Sequence, residues 1–169
     1  LSGDWRILQR VDGHRWSLDD LVTAWWAWRS LNPGGAPPPD STVRAPRRVI
    51  DLGCGIGTVL LLTAWRLPEA QLAGVEAQTV SVELARRSIL FNGIGERCSV
   101  RHGDFRDPAS TAGLGPVDLV TGTPPYFRRG SGTESTRPQV GPCHFEHRGG
   151  LEDYVRAAAR LVEDGGLLV

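Results

Sequence analysis

The stretch that most constrains the fold is Val49–Thr58, which reads VIDLGCGIGT. The aliphatic residues predict a strand over Arg47–Leu52, and the residues that follow predict a helix over Thr58–Leu67. Between the two lie glycines at alternating positions, which permit positive φ and let a ligand approach the backbone without meeting a Cβ: Gly53, Gly55 and Gly57. The stretch therefore predicts a strand, a tight turn and a helix whose first N–H groups point at a ligand over the glycines.

Asp51, at the end of this predicted strand, indicates what the ligand carries. The dinucleotide-binding fingerprint is G-x-G-x-x-G and holds a pyrophosphate, whereas the spacing here is G-x-G-x-G after an acid. A carboxylate at this point suits a ligand with an ammonium group better than one with phosphates. S-adenosylmethionine (SAM), with its amino-acid moiety and sulfonium, is such a ligand. A plain strand-to-helix turn is the alternative.

Two more acids stand at the ends of the next predicted strands. Gln71–Glu76 ends in Glu76, where a carboxylate would receive ribose hydroxyls. Val100–Asp104 ends in Asp104, which can accept from an adenine amino group while Phe105 covers the face of the base. Acids at three successive strand ends outline one ligand, which favours SAM over a plain turn.

From Arg47 onward, strand and helix patterns alternate along the chain. Such alternation predicts βαβ units with right-handed crossovers, and hence an α/β fold with a mostly parallel, doubly wound sheet. The remaining predicted elements are helices over Thr79–Phe91 and Gly149–Glu163, a fourth strand over Val117–Val120 and a fifth that begins at Leu167. We expect the sheet to be truncated after the fifth strand, because a fold that binds SAM in this way normally continues with further strands.

The chain divides into three parts that we expect to form one domain. Residues 1–32 hold an N-terminal segment and a helix, residues 33–48 form a linker rich in proline and glycine, and residues 49–169 form the SAM-binding core. Three helix tryptophans are expected to pack against the sheet, with a platform for stacking bases as the alternative: Trp25, Trp26 and Trp28.

Composition limits the partners and the compartment. The formal net charge of the 169 residues is zero, so no global field attracts nucleic acid, and any attraction has to be local. Three widely spaced cysteines indicate a reducing compartment, and no apolar run approaches the length of a membrane span. We expect a cytoplasmic protein, with an organelle or the nucleus left open because the sequence lacks an initiator methionine.

Directly after the fourth predicted strand comes Thr121–Phe127, which reads TGTPPYF. The carboxyl end of this strand is expected beside that of the first, across the crevice in which open α/β sheets bind ligands. Two prolines make the loop rigid and leave backbone carbonyls free. Such a loop can hold a planar amino group in line with a methyl group, with acceptors for the amino protons and an aromatic ring to stack on. The candidate catalytic residues are Thr123, Pro124, Pro125 and Tyr126, and a turn that merely leaves the sheet is the alternative.

Asp51–Gly57 and Thr123–Tyr126 together resemble the amino-group methyltransferases whose fourth motif reads (Asn/Asp/Ser)-Pro-Pro-(Tyr/Phe/Trp). Within that group the chain looks closest to the small-domain branch that includes bacterial tRNA(Val) adenine-N(6) methyltransferases. The branch is further supported by Gly13–Asp19, by the polar loop after Phe127 and by His144–Glu146 ahead of Gly150–Asp153. The resemblance implies a Rossmann-like class I methyltransferase fold, SAM as cofactor and catalysis at the four-residue loop.

Thr123 departs from the family pattern. The family usually has Asn there, which can both accept from an amino group and donate to a ring nitrogen, whereas Thr offers one short hydroxyl. The departure leaves open weaker activity, a different amino substrate or no catalysis.

The loop after the motif supplies the candidate substrate-binding residues, Phe127, Arg128, Arg129 and Glu146. Arginines outnumber acids in this loop, so contacts with RNA phosphates are expected, with ordinary solvated charge as the alternative. Glu146 is expected to help fold the loop back over the site. The adjoining Cys143–His147 cluster matches no common zinc spacing, so no metal is predicted.

Together these features predict a SAM-dependent methyltransferase that acts on an exocyclic amino nitrogen. The expected substrate is adenine N6 in RNA such as tRNA, presented from an unpaired loop or flipped out and stacked on Tyr126 or Phe127. The alternatives are a protein glutamine side chain, guanine in ribosomal RNA, and a catalytically silent subunit that binds RNA or a protein. Thr123 favours the silent subunit, and the intact set of acids disfavours it.

Overall fold

In the computed structural model, the residues described are 1–13, 15–31, 47–128, 130–131, 145–147 and 149–169. Their strands form a five-stranded sheet in the order β3-β2-β1-β4-β5, and every pair is parallel. The strands are β1 (Arg48–Leu52), β2 (Gln71–Glu76), β3 (Cys98–His102), β4 (Val117–Gly122) and β5 (Val162–Leu168). The helices are α1 (Leu18–Leu31), α2 (Thr58–Arg66), α3 (Thr79–Phe91), α4 (Pro108–Thr111) and α5 (Leu151–Leu161).

The strand order brings the two sequence motifs together. β1 pairs with β2 on one side and with β4 on the other, so the loops that follow β1 and β4 leave adjacent strand ends. Across the second pair, Asp51 lies opposite Thr121 and Leu52 lies opposite Gly122. The predicted α/β fold, the parallel pairing and the adjacency of the first and fourth strands are confirmed.

Neighbouring residues of the central strands belong to two apolar cores, one on each face of the sheet. On one face, Val49 and Leu119 pack with residues of α2 and α3. On the other face, Ile50 and Val120 pack with residues of α5. Successive side chains of a strand point to opposite faces, so a sheet covered by helices on both faces needs strands that are apolar almost throughout.

The packing of α1 differs from the prediction. Its buried residues are Asp20, Ala24 and Ala27. Trp25 and Trp26 are 49% and 54% exposed, so the expectation that they pack against the sheet is wrong. The reason is that α1 lies mainly against α2, and the small alanines form the buried face that permits the close approach. Trp28 is half-buried.

The N-terminal segment runs along the end of α3. Asn92 accepts a hydrogen bond from Arg6 N at 2.9 Å and donates one to Arg6 O at 2.7 Å. Leu8 N donates to Ser88 Oγ at 2.9 Å. Most of the predicted linker lies outside the described residues, although Arg48 already belongs to β1. None of the described helices is long and apolar enough to cross a membrane.

Several boundaries differ from those predicted. β3 spans Cys98–His102, so Asp104 lies in the turn beyond the strand and not at its last position. β4 extends two residues beyond the predicted end, to Gly122. α5 is shorter than predicted at both ends, since it begins at Leu151 and ends at Leu161.

β5 begins at Val162, five residues before the predicted start. Its pairing with β4 is irregular, because Val117 lies opposite Val162 while Leu119 lies opposite Leu167. The extra residues form a bulge that includes Gly165 at φ +81°. Strand pairing around a glycine bulge leaves no alternation of apolar residues, which is why the sequence pattern pointed only to the last part of β5.

Candidate active site

The turn after β1 uses backbone conformations that glycine adopts most readily. Gly53 and Gly55 have φ of +61° and +54°, where a Cβ is strained. A Cβ on Gly53 would also collide with the hydroxyl of Tyr154 from α5. Among the described residues, nothing lies within 4 Å of a Cβ built on Gly55. Gly55 therefore presents bare backbone to open space, where a ligand can approach it.

A cavity of about 1010 Å³ opens over this turn. The predicted cofactor residues that line it are Gly53, Gly55, Glu76, Asp104 and Phe105. The predicted catalytic residues line it as well: Thr123, Pro124, Pro125 and Tyr126. Both groups therefore border one concave site of the size that small-molecule ligands occupy.

Asp51 belongs to β1, two residues before Gly53, and is not among the described residues that line the cavity. It is 2% exposed, and its Oδ1 accepts from Thr121 Oγ1 at 2.8 Å. Among the described residues, no hydrogen bond of ordinary geometry reaches its buried Oδ2, although the backbone N–H of Leu60 lies near enough to the carboxylate to lower its pKa. Burial is the main cause that raises the pKa of Asp51 to about 7; the charges of Asp20 and Glu76 add to it, and the bond from Thr121 opposes it. A positive charge nearby would favour the ionised form of this carboxylate.

Asp20 is a site residue that the sequence reasoning missed. It is buried, it lines the cavity from the first turn of α1, and its Oδ2 accepts from Ser17 N at 3.0 Å. Burial raises the pKa of Asp20, with the charge of Asp19 adding to the shift, although hydrogen bonds with Ser17 and Thr58 oppose it. An acid in the first turn of a helix is ordinary, because it complements the helix dipole. The packing of α1 against α2, which begins at Thr58, distinguishes Asp20 from an exposed cap.

Glu76 organises the glycine turn from β2. Its Oε2 accepts from Gly55 N at 3.0 Å, and its Oε1 accepts from Gln78 N at 2.6 Å. The side chain is buried but lines the cavity. Each carboxylate oxygen has a second lone pair, so Glu76 can hold the turn and also accept from ligand hydroxyls.

Asp104 forms an ion pair with Arg106. Arg106 donates to it from the backbone N at 3.0 Å and from Nε at 3.0 and 3.1 Å, and the Nη2 group also contacts Oδ2. The pair is partly exposed, so its net contribution to stability is small. Phe105 is buried and packs on Tyr154, with ring centroids 4.4 Å apart. The Phe105 ring therefore stiffens the wall of the cavity.

The loop after β4 places its aromatic residue at the mouth of the cavity. Tyr126 is 66% exposed, and its hydroxyl donates to Asp19 Oδ2 at 2.8 Å. Thr123 and the two prolines are half-buried beside it. Asp19 is a second residue that the sequence reasoning missed, because the partners are 107 positions apart and no local pattern links them.

The predicted substrate-binding residues lie next to this loop. Phe127 forms a parallel β-bridge with Phe145, Glu146 N donates to Phe127 O at 2.9 Å, and the two phenylalanine rings lie 5.5 Å apart. The segment around Glu146 thus returns to the motif through backbone pairing. Arg128 is exposed, and Arg129 lies outside the described residues. The cavity lining described does not include Phe127, Arg128 or Glu146.

Comparisons with known proteins agree with this geometry. Residues 40–139, more than half of the chain, match the family described as "Methyltransferase small domain". The chain belongs to this family. Its α/β architecture is that of class I SAM-dependent methyltransferases, so the predicted family and fold are confirmed. SAM is the cofactor of this family and fold.

Curated relatives differ in the substrate that their names give. The tRNA1(Val) (adenine(37)-N6)-methyltransferase of Porphyromonas gingivalis is 27% identical over 144 residues, which cover 84% of this chain and 52% of that protein. The ribosomal protein uL3 glutamine methyltransferase of Bradyrhizobium diazoefficiens is 31% identical over 135 residues, which cover 73% of this chain and 40% of that protein. The chain thus spans about half the length, or less, of these relatives.

Similar solved structures include a putative caffeoyl-CoA O-methyltransferase from Staphylococcus aureus, with a TM-score of 0.55 and 10% identity. That alignment covers 92% of this chain and 57% of the other. TrmN from Thermus thermophilus has a TM-score of 0.51 and 22% identity, with 72% of this chain and 32% of the other covered. At such identities the likeness concerns the fold alone.

Proposed function

We propose that the chain is part of a SAM-dependent methyltransferase that methylates an exocyclic amino nitrogen, most specifically adenine N6 in RNA such as tRNA. The observation that carries the proposal is that the glycine turn with its acids and the Thr-Pro-Pro-Tyr loop border the same cavity. A methyl donor held by the first and an acceptor held by the second would meet there, which is the proximity that a transfer reaction requires.

The residues present fit a cationic amino-acid ligand. The acids Asp20, Glu76 and Asp104 line the cavity, and Asp51 Oδ2, near the end of β1, is buried with no hydrogen bond of ordinary geometry among the described residues. Asp20 and Asp51 suit the ammonium group, Glu76 suits the ribose hydroxyls, and Asp104 with Phe105 suits the adenine. When bound, SAM supplies an electrophilic methyl group on its sulfonium.

The methyl acceptor would be held by the loop after β4. Acceptors at Thr123 Oγ1 and at the backbone carbonyl of Pro124 would take hydrogen bonds from the amino protons, which increases the nucleophilicity of a nitrogen whose lone pair is conjugated with a ring. Tyr126 would stack on that ring, and its exposure leaves it accessible to a base that has left its stack. Exposed Arg128 and the adjoining Arg129 would contact phosphates.

A tRNA substrate is supported by the name of the Porphyromonas gingivalis relative and agrees with the cytoplasmic location expected from the sequence. A protein glutamine is the second candidate, and the uL3 glutamine methyltransferase relative favours it. Both acceptors present a planar nitrogen conjugated with a π-system, so the same loop can serve either one.

The decisive experiment incubates the protein with SAM labelled on the methyl group and with total RNA or total protein from cells in which the encoding gene has been deleted. We expect label in RNA, recovered as N6-methyladenosine after nucleoside analysis. Label recovered as methylglutamine from protein would transfer the assignment to the second candidate. A protein that binds SAM by calorimetry but labels neither pool would be the silent subunit.

A further inference from the structure

The first turn of α1 contacts the loop after β4 at the mouth of the cavity, through the aromatic residue of that loop. Tyr126 Oη donates to Asp19 Oδ2 at 2.8 Å. Both residues line the cavity, and the Tyr126 side chain is otherwise largely open to solvent. The Asp19 contact is therefore well placed to restrain the free end of the tyrosine ring.

Asp19 is itself held in place by its own turn. Ser17 Oγ donates to Asp19 Oδ1, which leaves Oδ2 to receive the phenol. Ser17 N donates to the buried Asp20, which fixes the start of the helix. Further along, the buried face formed by Ala24 and Ala27 lies where α1 packs against α2. The acceptor of the phenol hydrogen bond thus belongs to a helix that is anchored to the core.

The charges make this bond stronger than one between neutral groups. Burial alone would raise the pKa of Asp19, but hydrogen bonds from Ser17, Tyr126 and the backbone outweigh it and lower that pKa below its ordinary value. Partial desolvation of the phenol, with the bond to Asp19 second, raises the pKa of Tyr126 to about 12. At neutral pH a protonated phenol therefore donates to an ionised carboxylate.

The loop backbone and the ring are fixed by different means. Pro124 and Pro125 restrict φ up to the tyrosine, but they do nothing to its χ angles. A ring that stacks on a base needs a defined plane before the base arrives, since ordering it on binding would cost side-chain entropy. We propose that Asp19 is a positioning residue, which holds the Tyr126 ring in the plane on which the acceptor base stacks; this rests on the proposed function.

A double-mutant cycle tests the pair. Asp19→Ala and Tyr126→Phe each remove the bond while leaving the ring, and each should lower kcat/KM for the RNA acceptor about tenfold, the lower end for a hydrogen bond to a charged group. The double variant should be no worse than either single variant, because one interaction cannot be lost twice. The effect should fall on KM for RNA, with the affinity for SAM unchanged.

A matched control is Glu152→Ala, which removes another acid from the first turn of a helix, on the exposed face of α5. It should leave all constants as in the wild type. Multiplied losses in the double variant would overturn the proposal, because the two residues would then act separately. A tenfold loss of SAM affinity in Asp19→Ala would also overturn it, since Asp19 would then belong to the cofactor site.

A spectroscopic measurement reports on the bond without any substrate. The chain has two tyrosines, so 3-fluorotyrosine gives two ¹⁹F signals, and Tyr126→Phe identifies which one belongs to Tyr126. Loss of the charge in Asp19→Asn should lower the pH at which the Tyr126 signal titrates. An unmoved titration would overturn the proposal that Asp19 holds the Tyr126 ring. A wild type inactive on RNA would overturn the proposed function, and this titration would still decide whether Asp19 holds the ring.

Discussion

The two sides of the cavity are built in different ways. On the cofactor side, Glu76 is buried and bonds to Gly55 and Gln78, and the acid Asp51 is buried near the end of β1. On the acceptor side, Tyr126 is exposed and is restrained by a bond from a distant helix. Substitutions on the cofactor side should therefore affect SAM affinity and folding together. Those on the acceptor side should affect the acceptor steps alone.

The largest effect is expected from Gly55→Val on the cofactor side. A β-branched residue at φ +54° is strained by about 1–3 kcal/mol, and its side chain would project into the cavity where the ligand has to approach the backbone. SAM affinity, measured by calorimetry, should fall at least about 100-fold.

Gly93→Val is the matched control, because Gly93 also has a positive φ of +68° and open space around a built Cβ, but it lies after α3 and outside the cavity lining described. It should lose thermal stability from the same strain and keep its SAM affinity. Equal SAM affinity in wild type and Gly55→Val would remove the glycine turn from the cofactor site.

On the acceptor side, Tyr126→Ala should weaken RNA binding by about 1–3 kcal/mol, the usual worth of stacking one base on an aromatic ring. SAM affinity should be unchanged, since the ring lies at the mouth of the cavity. Filter binding of RNA in parallel with SAM calorimetry separates the two sides. Phe91→Ala removes another exposed aromatic ring, at the end of α3, and should change neither affinity.

The contrast between the two sides also decides what the sequence could predict. Local patterns predict the glycine turn, the position of Glu76 and the parallel pairing of the strands, because a strand, its turn and the next helix are contiguous in the chain. The pairing of Asp19 with Tyr126 has no local signal. It depends on where a helix near the N-terminus packs, and the sequence reasoning assigned that packing to the wrong residues.

That error has a physical cause. Hydrophobicity ranks tryptophan above alanine, so Trp25 and Trp26 look like the buried face of α1. Two helices that approach closely need small side chains between them, and the face with Ala24 and Ala27 provides them. Asp20, in the first turn of the same helix, is buried as well, and no periodicity of the sequence could reveal this.

A smaller effect on the cofactor side is a dependence of SAM affinity on pH. Asp51 has a pKa of about 7 in the folded protein against its ordinary value of 3.8, because burial favours its neutral form. Its protonation therefore stabilises the protein fully below about pH 4, and this contribution is lost as the pH rises through about 7. A cationic ligand prefers the ionised form, so SAM affinity should rise in the same range.

The rise should be up to about tenfold between about pH 6 and pH 7.5, as expected for one group with this pKa. Asp51→Asn should flatten it, although Asp20 lines the cavity and burial raises its pKa as well, so a residual slope remains. Calorimetry across this range with both proteins measures the difference. An unchanged slope in Asp51→Asn would assign the titration to another group.

The smallest effect is expected at Thr123, and it tests whether the acceptor side needs the amide that the family usually has there. The proposed mechanism relies on the Pro124 carbonyl and the Tyr126 ring, and the Thr123 hydroxyl already offers one acceptor. Thr123→Asn should then keep the single-turnover rate on one RNA substrate or raise it about two- to tenfold, since the amide offers an acceptor and adds a donor. SAM affinity should stay the same, because the substitution lies on the acceptor side.

Thr123→Val, which keeps the shape of the side chain and removes the hydroxyl, is the control and should lower the single-turnover rate. If Thr123→Val is as fast as the wild type, the hydroxyl takes no part and the backbone and ring alone hold the amino group. If Thr123→Asn is much slower, the loop has adapted to threonine, and the acceptor would then be one that an amide excludes.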